Sequence, residues 1–472
     1  MTALWTAAEA VAATDARPRP AAVWRADGVS IDTRSIAVND IFVALKGPRF
    51  DGHEFVATAL SDGAAAAMVD RRMPGIDPAR LLEVPDTQIG LEKLAIAARA
   101  RGKARIVAVT GSVGKTGVKE ALGKLLSEQA PTHFSAGNLN NQIGLPLSLA
   151  RMPASAAFGV FELGMNHAGE IAPLSAMLRP HVAIVTTVEA VHLEYFASVE
   201  GIADAKAEIF AGMDATGVAI LNRDNTHFSR LAAKAREHGV GQILTFGEAE
   251  GSDARLLSAV VNADGSAVEA SILGRKIAFR LAIPGRHHIQ NALAVLLAVA
   301  AMGADLDAAA AGFAEIAPVK GRGTMSEIHL ASGSFRLIDE SYNASPAAVR
   351  AALAVLGMTD GGGRRLFALG DMLELGAGAA GEHARLLDAA MQAGVAKIFT
   401  AGPLSRHLFD AAPAEMRGAH ADRADALARA IAEQVQPSDV VLIKGSAGSR
   451  MGDVVTALRN LDQAEMEARR AV

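Results

Sequence analysis

Lys115 and Thr116 close the segment TGSVGKT, residues 110–116, between the apolar run Ile106–Val109 and a helical pattern that continues to Leu122. Strand, glycine turn and helix in that order build a phosphate cradle. Gly111 and Gly114, with Ser112 between them, let backbone N–H groups turn inward onto phosphate oxygens. Lys115 is placed to reach β- and γ-phosphates, and Thr116 to set its hydroxyl on Mg²⁺. The following helix points its positive end at the same anion. The full pattern G-x-x-x-x-G-K-[ST] requires glycine where this chain has Val109, so the match is partial. A tight turn with a surface lysine would carry the same residues. The strand–turn–helix context favours phosphate.

Nucleotide chemistry also needs groups that hold a metal. Glu162 ends the apolar strand in FELGMNHAGEI, and strand ends are where ligands sit in parallel sheets. His192 follows the strand that ends near Val188, and Lys206 lies in ADAKAEIF on a helical pattern. Each has an ordinary reading: a surface glutamate, a structural histidine, a solvated lysine. Their order after a phosphate loop is what gives them weight.

The elements that must position these residues alternate along the chain. Residues 1 to about 88 mix short strands and helices, including the strand in DIFVALKG. A helix near Leu91–Ala100 leads into the phosphate strand. FGVFELG, VAIVTTV and GVAILN are continuous apolar runs, as in a sheet covered on both faces. SAVEASILGRKIAFRLAIPG predicts an antiparallel hairpin turning near Gly274. FRLID, RRLFALGD, AKIFTAG and DVVLIKGS repeat strand–helix units in the final third. The pattern predicts an α/β protein of three domains, the second and third with mostly parallel sheets.

Bulk properties narrow the class. The 472 residues are too many for one core. The net charge of −5, with no basic tract, argues against nucleic acid binding by bulk charge. The absence of cysteine excludes disulfides and thiolate sites. The first residues lack a basic start and carry Glu9, unlike a signal peptide. The longest apolar run, Ala292–Ala304, is too short to span a bilayer and reads as a buried helix. We expect a cytoplasmic monomer without membrane insertion.

With these segments in place, the chain resembles the Mur ligase family of ATP-dependent amide-forming enzymes over nearly its whole length. TGSVGKT, NLNNQIGLPLSL, FELGMNHAGEI, HLEYFASVEGIADAKAEIF, LNRDN and IPGRHHIQNALAV follow the family's central domain in order. KGRGTM, LIDESYNASPAAVRAAL, ALGDMLELG and VLIKGSAGSRM follow its C-terminal domain. The resemblance implies a UDP-substrate domain over 1–88, an ATP-binding domain resembling P-loop ATPases over 89–318, and a Rossmann-like domain over 319–472. The segments DTRSIAVNDIFVALKGPRFDGHEF, Tyr342–Asn343 and GDMLELG narrow the implied activity. It is the addition of D-alanyl-D-alanine to UDP-N-acetylmuramoyl-tripeptide, with ATP and Mg²⁺, in peptidoglycan precursor synthesis. Residue by residue, the resemblance gives Lys115 and Thr116 to ATP phosphates and Mg²⁺, and Glu162 and His192 to the metal site. Lys206 matches a lysine that family members carry as a carbamate. Asn291 is implied at adenine, and Arg322 and Asp339 at the γ-phosphate and ribose. Thr33, Arg34 and Ser35 are implied at the uridine diphosphate, with Asn140, Asn141 and Gln142 at the junction.

Gly117, His288 and Ser345 depart from the residues usual in the family at those positions. Rival readings are a ligase adding the third residue to the muramoyl peptide, a folylpolyglutamate synthase, or a nucleotide-dependent switch without ligase chemistry. The Asp-Asn-Pro-Arg segment of the diaminopimelate-adding relatives is absent from the C-terminal third, and so is a guanine-specific Asn-Lys-x-Asp segment. If the loop holds phosphate, Lys115→Ala should lower ATP turnover by about 10²-fold or more and leave UDP-substrate binding largely intact. Kinetics beside a direct binding measurement decide this, and near-normal turnover would make the loop only a turn.

Overall fold

The computed structural model describes residues 3–18, 22–191 and 193–470 and divides them among three α/β units. The central unit is built on nine strands, and the phosphate strand Arg105–Thr110 lies well inside the sheet. It pairs in parallel with Val182–Val185 on one side and Phe158–Glu162 on the other. Side chains alternate across this strand. Val107 and Val109 enter a core with Val118, Leu122 and Leu293; Ile106 and Ala108 enter the opposite core with Phe161, Ile202 and Phe210. Both faces are covered, which is why the strands read as unbroken apolar runs.

The helix Arg286–Ala301 is buried from Ala292 through Val299, as its composition predicts. Among the described residues no helix is long and apolar enough to cross a membrane. The hairpin expected near Gly274 is present, with Leu273 and Gly274 both at positive φ, as a tight turn between twisted strands requires. It belongs to a larger antiparallel extension, because Ala254–Asn262 precedes it and pairs with Gly265–Ile272. That first strand is half exposed and lacks a continuous apolar run, so its sequence carries little strand signal. The short strand Thr132–Phe134 and the strand Gln242–Gly247 likewise complete the sheet without having been expected.

The N-terminal unit has four parallel strands, Gly28–Ser30, Asp40–Val43, Ala66–Val69 and Leu81–Glu83, in chain order. The helix Thr87–Arg101 joins it to the central unit, since Leu91, Leu94 and Ala98 share a core with Trp5, Val43, Leu147 and Ala150. In the third unit Gly333–Glu340 pairs antiparallel with Thr324–Leu330 and parallel with Val440–Lys444. Arg365–Gly370, Val395–Ala401 and Arg417–Ala421 continue the parallel part.

Leu296 is fully buried in the central core, whereas Leu257 is 46% exposed on the antiparallel extension. Leu296→Ala should destabilise the central unit by about 2–5 kcal/mol. Leu257→Ala should stay within about 0.5 kcal/mol. Denaturant unfolding of the two variants, followed side by side, checks the difference.

Candidate functional site

The phosphate loop is shaped by close backbone approaches. Gly111 has φ +148°, and a Cβ there would lie 1.9 Å from Thr186 Oγ1. Gly114 has φ +91° and faces the Asn291 amide, which a Cβ would meet at 2.9 Å. Any side chain at either position would push the loop off its neighbours. The loop is also tied to the end of the adjacent parallel strand. Ser112 N donates to Thr187 O (2.8 Å), Glu189 N donates to Ser112 Oγ (2.9 Å), and Thr186 Oγ1 donates to Val113 O (2.6 Å). Lys115 opens the helix Lys115–Ser127 and donates to Gly111 O at 2.6 Å, folding back over the loop.

Strand register delivers Glu162. It pairs with Val109, one residue before the phosphate strand ends, so its carboxylate emerges beside the start of the helix. Glu162 is 2% exposed, and each oxygen has a donor. Thr116 Oγ1 donates to Oε2 at 2.8 Å, and Asn140 Nδ2 donates to Oε1 at 2.8 Å. Burial lowers the Lys115 pKa; Glu162 opposes that shift and the Arg322 guanidinium adds to it. Lys206, also 2% exposed, has no hydrogen-bond or ion-pair partner among the described residues. Burial, with the neighbouring Lys115 cation, pushes its amine well below the ordinary lysine range. His192 lies outside the described residues. Among those described, no three His, Asp or Glu side chains gather as a metal cage.

A cleft of about 840 Å³ opens from this loop toward the third unit. From the central unit it takes Ser112–Val118 and Asn291, together with His287 and His288, whose rings lie 4.0 Å apart, and Arg322 faces them from the start of the third unit. Burial holds both imidazoles below the ordinary histidine range, so they are neutral groups. From the third unit come Glu340, Tyr342, Asn343, Ser345 and Lys444. Arg322 stacks its guanidinium 4.2 Å from the Tyr342 ring centre. Ser345 accepts from Ala348 N (3.4 Å) at the start of the helix Pro346–Met358, with proline next, so a serine there has a capping role. Gly117 also lines the cleft, and a Cβ there would meet nothing within 4 Å.

Adjacent acids divide between two faces. Glu340 lines the cleft and pairs with Lys444, its strand neighbour, at 2.8 Å. Asp339 lies outside the lining; it accepts from Ser341 Oγ (2.7 Å) and faces Arg459 Nη2 (3.4 Å). Alternation along a strand requires this division, and it was the available signal for Glu340. Lys444 had no such signal, because it closes an apolar run of a kind common in any buried strand. Thr33, Arg34 and Ser35 sit in the N-terminal unit as a short turn capped by Asp32, whose carboxylate accepts from Arg34 N (3.0 Å) and Arg34 Nε (2.9 Å). Asn141 Oδ1 accepts from Gly144 N (2.8 Å), and Gln142 O accepts from Gln88 Nε2 (2.7 Å). Residues 140–142 therefore lie where the N-terminal and central units meet.

Comparison with known proteins covers the same three units. The Mur ligase family catalytic domain matches residues 25–100, the Mur ligase middle domain 109–299, and the Mur ligase glutamate ligase domain 325–447. A UDP-N-acetylmuramoyl-tripeptide–D-alanyl-D-alanine ligase of Escherichia coli is 38% identical over 92% of this chain and 94% of its own length. A ligase of the same name from Rickettsia prowazekii is 32% identical over 90% and 94%. The crystal structure of MurF from Acinetobacter baumannii superposes with a TM-score of 0.83 at 31% identity, covering 97% of this chain and 99% of that one. The MurF ligase of Thermotoga maritima, solved in complex with ADP, gives 0.77 at 25% identity, covering 95% and 100%. With relatives of this identity matched along almost their whole length, the chain belongs to the Mur ligase family.

Proposed function

We propose that this chain is the ATP-dependent ligase that joins D-alanyl-D-alanine to UDP-N-acetylmuramoyl-tripeptide, in cytoplasmic synthesis of peptidoglycan precursors. The observation that carries this reading is the likeness, unbroken over nine-tenths of the chain, to ligases bearing that name. In the same reading, residues 1–88 hold the UDP-substrate, 89–318 hold ATP, and 319–472 close over the nucleotide and receive the amine.

A carboxylate repels nucleophiles until one of its oxygens becomes a leaving group. The tripeptide carboxylate would attack the γ-phosphorus of ATP, forming an acyl phosphate and releasing ADP. The amine of D-alanyl-D-alanine would then attack the acyl carbon, and phosphate would depart from the tetrahedral adduct. The first step brings two anions together. Lys115 on the loop and Arg322 at the facing edge of the cleft supply fixed positive charge for it. Thr116 and Glu162 offer hard oxygen donors, few enough that a Mg²⁺ ion would complete its shell with phosphate oxygens and water. The ion would supply further charge neutralisation. Acyl phosphates hydrolyse in water, and a cleft shared by two units provides walls that can exclude it. Neutral His287 and His288 line the cleft without adding charge beside the nucleotide.

Burial of Lys206 supports its reading as a carbamate. Only a neutral amine reacts with CO₂, and burial beside the Lys115 cation favours the neutral form; the resulting anion would face the Lys115 cation. Lys206→Ala should abolish most turnover without unfolding the chain, and a small carboxylic acid in the assay should partly restore it by replacing the lost anion. Bicarbonate should not. Full activity of the unrescued variant would remove Lys206 from the site.

Phosphate release by the intact chain tests the activity itself. Turnover should require UDP-tripeptide, D-alanyl-D-alanine and Mg-ATP together, and omission of any one should bring it to background. Equal turnover with a folate and glutamate would overturn the assignment.

A further inference from the structure

Lys119 is fully buried, yet none of the steps above uses it. Burying an ammonium group is costly unless its donors are satisfied, and an apolar side chain would fill the same volume without that cost. Here the three donors face three acceptors: Ser135 O at 2.6 Å, Gly137 O at 3.1 Å and Glu120 Oε1 at 2.6 Å. Two of the three belong to the irregular segment that leaves the strand Thr132–Phe134 and runs to Asn140. The ammonium thus fastens a stretch of chain that has no ladder of its own.

That stretch leads to Glu162 by two routes. Glu162 N donates to Ser135 Oγ at 3.4 Å, and the Asn140 amide donates to the Glu162 carboxylate at 2.8 Å. The carboxylate's other oxygen accepts from Thr116, which lies three residues before Lys119 on the same helix and so on the same face. The contacts form a closed circuit that begins and ends on the helix Lys115–Ser127. We infer that Lys119 is a positioning residue for the metal–nucleotide site, holding the Ser135–Asn140 segment so that Glu162 and Thr116 keep their joint geometry. This rests on the reading of Thr116 and Glu162 as Mg²⁺ donors. Pairing with Lys119 also offsets the charge of Glu120, a carboxylate that lines the nucleotide cleft.

Removing an outer partner of metal ligands typically costs about 10–100-fold in metal affinity or activity. The test is calorimetric binding of ADP to the full chain and to Lys119→Met, each in Mg²⁺ and in EDTA. The affinity gained from Mg²⁺ should shrink by about 10-fold or more in the variant, while binding in EDTA changes by less than about 2-fold. In turnover, kcat should fall and KM for UDP-tripeptide should hold. An unchanged Mg²⁺ gain, or equal losses in Mg²⁺ and EDTA, would make Lys119 a packing residue and overturn the inference. A wild-type chain whose ADP binding ignores Mg²⁺ would overturn it too. If Lys119→Met does not fold, Lys119→Gln is judged by the same criteria, and failure of both to fold also overturns it. A wild-type chain that binds Mg-ADP but releases no phosphate with UDP-tripeptide and D-alanyl-D-alanine overturns the proposed function instead. The calorimetric comparison then still decides the role of Lys119.

Discussion

A charged side chain withdrawn from water must be answered by partners, and the edge of the central sheet is organised around that requirement. Glu162 and Lys119 are both buried there, beside a phosphate loop that carries Lys115. Glu162 is answered by a hydroxyl and an amide, and Lys119 by two carbonyls and a carboxylate. Lys206 is the exception, buried and without such an answer among the described residues. A buried group left in that condition is a candidate for chemistry rather than for support.

Strand register turns this local demand into geometry. Parallel pairing aligns the ends of Arg105–Thr110, Phe158–Glu162 and Val182–Val185, so the loops that follow them converge at one edge. Thr186–Glu189 braces the phosphate loop from one side, and Glu162 reaches it from the other. The third unit repeats the device: register sets Glu340 beside Lys444, and their ion pair forms part of the opposite wall. In the proposed reaction an acceptor carboxylate, ATP and an amine would have to meet out of water, and a cleft with walls from two units would suit that demand.

The paired acids Asp339 and Glu340 show where sequence reading stops. The strand itself was evident from its apolar content, but which acid faces the cleft depends on which face of the sheet the neighbouring unit covers. Ser345 was legible as a departure, and the structure adds its place as a helix cap. Lys119 was invisible, because a lysine on an amphipathic helix is ordinarily solvated; only the segment folded over it makes it a buried group.

By itself the sequence determined the three α/β units, the covered parallel sheets, the strand–glycine turn–helix that carries Lys115, and the family. Those features rest on local signals: apolar periodicity, glycine spacing, and motifs held in order along the chain. Tertiary structure alone decided that Glu162 meets Thr116, that Lys206 and Lys119 are buried with opposite fates, and that Glu340 rather than Asp339 faces the cleft. These facts depend on register and burial, which bring together residues tens to more than a hundred positions apart. The cost of burying a charged side chain is set by those neighbours, and most of them are distant in the sequence.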